Sequence, residues 1–94
     1  MQRQPRVRIT GHCQGRMIQR EITEEQIRAV VLNPISVIPV NNNKFRCYGS
    51  VNNPPYASEP FLLVIYARHI NEIVVITTMW QDRGGLRANG FNNI

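Results

Sequence analysis

Cysteine, lysine, carboxylates and long apolar runs are all scarce in this chain, and each shortage removes a class of protein. Its two cysteines, Cys13 and Cys47, are too few for a disulfide framework and lack the close Cys/His spacing of a zinc site. Two reduced thiols are expected. The six acidic residues form no cluster that would hold a metal, so neither metal nor cofactor is expected. The longest apolar run, Phe61 to Ala67, is far short of the roughly 20 residues that span a bilayer, and no membrane partner is anticipated. Met1-Gln2-Arg3-Gln4-Pro5 begins no signal peptide. The cytoplasm is therefore the expected compartment.

What is present is positive charge of one kind. The chain of 94 residues carries a formal net charge of +5, and ten of its eleven cations are arginine, with Lys44 the single lysine. Solubility alone does not require arginine, whereas bidentate phosphate contacts and stacking on bases favour it. Nucleic acid is thus the leading partner class. The length suits one domain with a single modest core.

The basic charge is concentrated early. On a helix, His12, Arg16 and Arg20 advance only about 40° per step of four and share one face, while Cys13, Met17 and Ile18 supply an apolar side. One imidazole that titrates near neutrality and two guanidinium forks on one face suit an anion. The alternative is a solvated basic surface.

Along the chain, Arg6-Val7-Arg8-Ile9-Thr10 alternates like a short edge strand or an extended lead-in. A first helix is expected over Gly11 to Arg20, with Gly15 costing it about 1 kcal/mol. A second starts at Thr23, because Thr23 and Gln26 match the capping box and Ile22 can staple onto Ile27. Its buried stripe is Ile27, Val30 and Val31, and Pro34 ends it at Asn33. The period then becomes extended: Ser36 to Val40, an Asn41-Asn42-Asn43 turn, and Lys44 to Val51 read as a hairpin. Phe45 and Cys47 point to one side of it; Lys44, Arg46 and Tyr48 point to the other. Residues 52–60 are a Pro- and Asn-rich loop. Phe61 to Ala67 and Ile73 to Trp80 are strands covered on both faces. Residues 81–94, rich in Gly and Asn, are expected to be a mobile tail after a single domain of residues 1–80. The expected fold is α+β, with two short N-terminal helices packed across one face of a four-stranded antiparallel meander.

Taken in order, His12-x3-Arg16-Met17-x2-Arg20, Ile22-Thr23-Glu24-Glu25-Gln26-Ile27, Asn33-Pro34, Arg46-x-Tyr48-Gly49 and Glu72-Ile73-Val74-Val75-Ile76-Thr77 resemble a widespread family of short bacterial domains of unknown function. The fold of that family is similar to the RelE-like and BrnT-type toxin ribonucleases, and the resemblance spans about residues 8–80. It implies a site made of His12, Arg16, Arg20, Arg46 and Tyr48. The long 52–60 loop and the tail beyond Trp80 depart from the family pattern.

The resemblance implies a metal-independent endoribonuclease, the toxin of a toxin–antitoxin pair, with RNA, a cognate antitoxin protein and the ribosome as partners. Cleavage by a neighbouring 2′-hydroxyl needs a base, cationic donors and an acid. His12, Arg46 and Tyr48 are the catalytic candidates. Arg16, Arg20, Lys44 and Tyr66 are the RNA-binding candidates, Tyr66 joining Tyr48 if their strands pair. His69 reads as a surface imidazole beside the Asn71 turn, and Trp80 as a core or edge aromatic. The alternative is a noncatalytic RNA- or DNA-binding or protein-interaction module that asks nothing of His12.

Overall fold

The computed structural model describes residues 4–92 and 94. Met1, Gln2 and Arg3, read above for a targeting signal, and Asn93 of the expected tail lie outside the described residues. The elements run β1 (Arg6–Ile9), α1 (Gly11–Arg20), α2 (Glu24–Leu32), β2 (Ser36–Asn41), β3 (Lys44–Ser50), β4 (Phe61–His69), β5 (Glu72–Gln81) and α3 (Arg83–Ala88).

Local chemistry sets the helix starts. Thr10 accepts from the Cys13 amide at 3.2 Å to begin α1. Thr23 and Gln26 form the full reciprocal capping box at the start of α2, with the Gln26 amide 3.1 Å from Thr23 Oγ1 and Gln26 Oε1 2.9 Å from the Thr23 amide. The corner between the helices turns through Glu21, whose φ of 55° is left-handed. The buried stripe of α2 is Ile27, Val30 and Val31, as its 3.6-residue period requires.

The fold is α+β, but the sheet has five strands in the order β1-β5-β4-β3-β2, not four in an antiparallel meander. From β2 to β5 the pairing is antiparallel. Beyond that meander β1 lies parallel to β5, with Val7 beside Ile73 and Ile9 beside Val75. This partner lies more than sixty residues away, so alternation alone showed a strand without showing its neighbour.

Each sheet face has its own core. On the first face α1 and α2 cover Val7, Cys47, Leu62, Val64, Tyr66, Ile73, Val75 and Trp80 around Ile27. The approach of α2 is close: a Cβ at Gly49 would lie 3.2 Å from Val30 Cγ2. On the second face Tyr48 and Leu63 pack with Leu86 and Phe91. The stretch expected as a mobile tail therefore carries a third helix that docks on the sheet. Asp82 caps it, accepting from the Gly85 amide at 2.7 Å, and Leu86 and Phe91 are 0% and 3% exposed. Two well-placed apolar side chains outweigh the poor helix propensity of Gly84 and Gly85.

Candidate functional site

Strand register sorts the charged side chains between the two faces. Cys47 belongs to the first core and Tyr48 to the second, so Lys44, Arg46 and Tyr48 point away from α1 and α2. His12 and Arg16 stand exposed on α1, which packs on the opposite face. The structure therefore does not bring His12 together with Arg46 and Tyr48, and these three cannot act on one phosphate.

Other expected roles shift for equally local reasons. Arg20 is not free on the His12 face. Seven residues after Cys13 it returns to within about 20° of the buried stripe, and its Nη1 donates to the Thr78 carbonyl at 2.7 Å. The Trp80 indole in turn donates to the Arg20 carbonyl at 2.6 Å. Arg20 thus joins the end of α1 to β5, where β1 no longer runs alongside. The i+7 relation to Cys13 was the signal for this in the sequence. Arg16 has only a 3.5 Å contact with Gln19 Oε1 and remains solvated.

Neither tyrosine is displayed for stacking on a base. Tyr66 packs in the first core, its ring stacked on Phe45 at 5.6 Å, and burial pushes its hydroxyl pKa up. Tyr48 lies on the other side, enclosed edge-to-face by Phe61 at 5.7 Å and Phe91 at 4.8 Å. Both are 6% exposed. The two rings do not join, because Tyr66 pairs in register with Phe45, three residues before Tyr48.

What the second face does assemble is a half-covered sheet with cations on its open part. Its core of Tyr48, Leu63, Leu86 and Phe91 takes in Ile38 at the β2 end of the next row, and the rest of that row and the one beyond lie outside it. One row is Thr77, Ile65 and Arg46; the other is Arg8, Val74, Ala67 and Lys44. Lys44 and Arg8 are exposed, and at about 4.8 Å per strand they stand roughly 14 Å apart across the sheet. Arg46 lies between the open rows and α3, its Nη1 donating to the Asn89 carbonyl at 3.0 Å. Its Nε is buried without a hydrogen-bond partner among the described residues, a state that costs about 1–3 kcal/mol. Arg8 Nη2 is 3.4 Å from Glu72 Oε1, and Glu72 faces His69 across the β4–β5 hairpin. The sequence already placed Lys44 and Arg46 on one side of a strand, but Arg8 joined them only through the parallel pairing of β1.

Among the described residues no group of three or more His, Cys, Asp or Glu side chains gathers in a way that would hold a metal ion. The cysteines are buried and unpaired. Burial pushes the Cys47 thiol up to about 12 and raises that of Cys13, where the Arg20 charge opposes the shift. Neither is a nucleophile near neutrality. Among the described residues, no helix is long and apolar enough to cross a membrane.

Fold and surface together define a small α+β domain with α1 and α2 on one sheet face and a basic second face that α3 covers only in part. By sequence, residues 9–80 match the family model described as Domain of unknown function (DUF4258), and the chain belongs to that family. The description carries no link to RelE-like or BrnT-type toxins. Neither a curated protein nor a solved structure matches the chain.

Proposed function

We propose that the protein binds single-stranded RNA along the open half of the second sheet face. The observation that carries this reading is the register that sets Arg8, Lys44 and Arg46 around the partly exposed apolar floor of Ala67 and Ile65, with buried Val74 beside them. Cations at the rim take phosphates, while the floor accepts sugars and unstacked bases, which a duplex would withhold. Arg46 adds a reason of its own, since a phosphate that draws its guanidinium toward the open rows satisfies the donor left unpaired in the free protein.

The test is binding of a labelled single-stranded RNA as salt is raised. Three phosphate contacts on a single strand give a slope of log affinity against log salt of about −2. Arg8→Ala, Lys44→Ala and Arg46→Ala should each flatten it by about 0.7, whereas His12→Gln and Arg16→Ala should leave it unchanged. Salt-insensitive binding, or loss of binding in the α1 variants alone, would refute the assignment of the surface. Equal affinity for DNA of the same sequence would refute the restriction to RNA.

A second reading is cleavage of the same strand, and one placement favours it. His69 and Glu72 are cross-strand partners beside Arg8 on the second face, so an imidazole, a carboxylate and a guanidinium share one end of the sheet. These are the groups that proton transfer and charge stabilisation at a 2′-hydroxyl require. On this reading the chain is a metal-independent endoribonuclease and a toxin, with an antitoxin as protein partner and the ribosome as a site of action. Cleavage should then fall about 10²-fold or more in His69→Gln and persist in His12→Gln. Intact RNA after incubation with the wild type, with and without ribosomes, removes it.

A further inference from the structure

A second feature of the molecule lies at the far end of β5, on the edge that β1 leaves uncovered. Arg20, Tyr56, Glu59, Met79 and Trp80 line a cavity of about 240 Å³ there. Its polar groups are of opposite sign, yet among the described residues the ion pairs are Arg8 with Glu72 and Arg28 with Glu24, and none joins Arg20 to Glu59. Arg20 is held in place by its Nη1 bond to the Thr78 carbonyl, and among the described residues its Nε and Nη2 have no hydrogen-bond partner. Trp80 is 5% exposed and anchored by its indole N–H, so its side of the cavity is rigid. Tyr56, from the 52–60 loop, is 42% exposed and lines the cavity opposite the buried core.

A buried aromatic wall, an exposed aromatic ring, a carboxylate acceptor and a guanidinium donor lining one small volume match a planar heterocycle that carries both donors and acceptors. We propose that this cavity is a nucleobase pocket selective for guanine. The N1–H and exocyclic N2–H of guanine form a pair of donors that a single carboxylate, Glu59, accepts, and the adjacent O6 and N7 accept from Arg20. Adenine presents a ring-nitrogen acceptor where the carboxylate needs a donor. Cytosine does the same, and uracil offers one donor between two acceptors. Tyr56 stacks on the base.

As a subsite for RNA this rests on the binding function proposed above. From Val74 to Trp80, β5 spans about 20 Å at 3.3 Å per residue; Trp80 belongs to the first core and the open rows to the second face, so a strand bound at both would cross the β5 edge beyond Val75, where β1 no longer pairs. The cavity beside Thr23 and Gln26 is less suited, since the side chains of both are already committed to the capping box.

Trp80 is the chain's single tryptophan, so intrinsic fluorescence reports on this cavity directly. Titration with the 5′-monophosphates of guanosine, adenosine, cytidine and uridine, with ribose 5-phosphate as the control, should quench Trp80 at a concentration at least tenfold lower for the guanine nucleotide. Glu59→Gln should abolish that preference, and Tyr56→Ala should weaken guanine binding about tenfold or more; both residues lie in the 52–60 loop, outside both cores. Arg46→Ala and Lys44→Ala should leave it intact. Equal quenching by all four nucleotides, by ribose 5-phosphate alone, or by none overturns the pocket. RNA binding without a guanine-selective signal also overturns the pocket and leaves the sheet-face reading standing. A guanine-selective signal without RNA binding supports the pocket and overturns the sheet-face reading.

Discussion

Truncation of Leu86 to alanine asks whether residues 82–94 belong to the folded unit. Leu86 is 0% exposed and packs with Tyr48, Leu63 and Phe91. Losing its buried methyl groups removes about 1.5–3 kcal/mol of burial, and an unrelaxed cavity would raise the cost toward 5 kcal/mol. A six-residue helix with two glycines can settle onto the sheet, so the lower part of that range, about 2–3 kcal/mol, is expected. A chain of 94 residues has an unfolding entropy of about 0.2 kcal/mol/K, which turns this loss into a fall in Tm of roughly 10–15 °C. Urea unfolding followed by Trp80 fluorescence is the decisive assay. Trp80 lies in the first core, on the far side of the sheet, and shifts only if the loss is transmitted through β4 and β5. A lower midpoint with an unchanged m-value confirms one cooperative unit, while a reduced m-value marks α3 as separately frayed. An unchanged midpoint and m-value would refute the docking of α3.

Three further perturbations test other links. Gly15→Ala should stabilise the protein by about 1 kcal/mol in a thermal melt, because a Cβ there meets no atom within 4 Å. Thr23→Ala should cost about 1 kcal/mol by removing one half of the capping box, with RNA affinity unchanged in the binding assay. Cys47, whose thiol is raised to about 12 by burial, favours folding fully below the ordinary thiol pKa of about 8.5. Its contribution is lost as pH rises from there through 12, since the unfolded chain releases the proton first. Denaturant midpoints between pH 7 and 11 should therefore fall, and fall less in Cys47→Ala. A disulfide reagent at pH 7 should react with neither thiol until the protein is unfolded.

The elements legible from sequence are those whose signals are complete within a few residues. Thr23 and Gln26 satisfy one another's backbone donors across one turn, and Asn42 and Asn71, with φ of 40° and 60°, supply the left-handed residues of two hairpins. Alternation in β3 likewise separated Arg46 and Tyr48 from Cys47 before any partner strand was known. The candidate site was less legible. Arg46 and Lys44 were placed on the correct side of their strand, but the family resemblance grouped His12 with Arg46, and helix periodicity, which describes one element and says nothing of which sheet face that element covers, gave no check on it.

The sequence by itself determined the helix caps, the turns, the direction of each strand's side chains and the excess of arginine. All of these follow from chemistry between near neighbours. Tertiary structure alone decided that β1 pairs in parallel with β5 and so carries Arg8 to the open face, that Leu86 and Phe91 dock a third helix, and that Arg20 ends on the Thr78 carbonyl. Each depends on partners tens of residues away, chosen by where apolar surface is left to bury and which backbone groups still lack a bond once the meander has formed. His12 and Arg46 lie on opposite sides of the sheet for the same reason: α1 was drawn onto the first core by Cys13 and Met17, and its charges went with it.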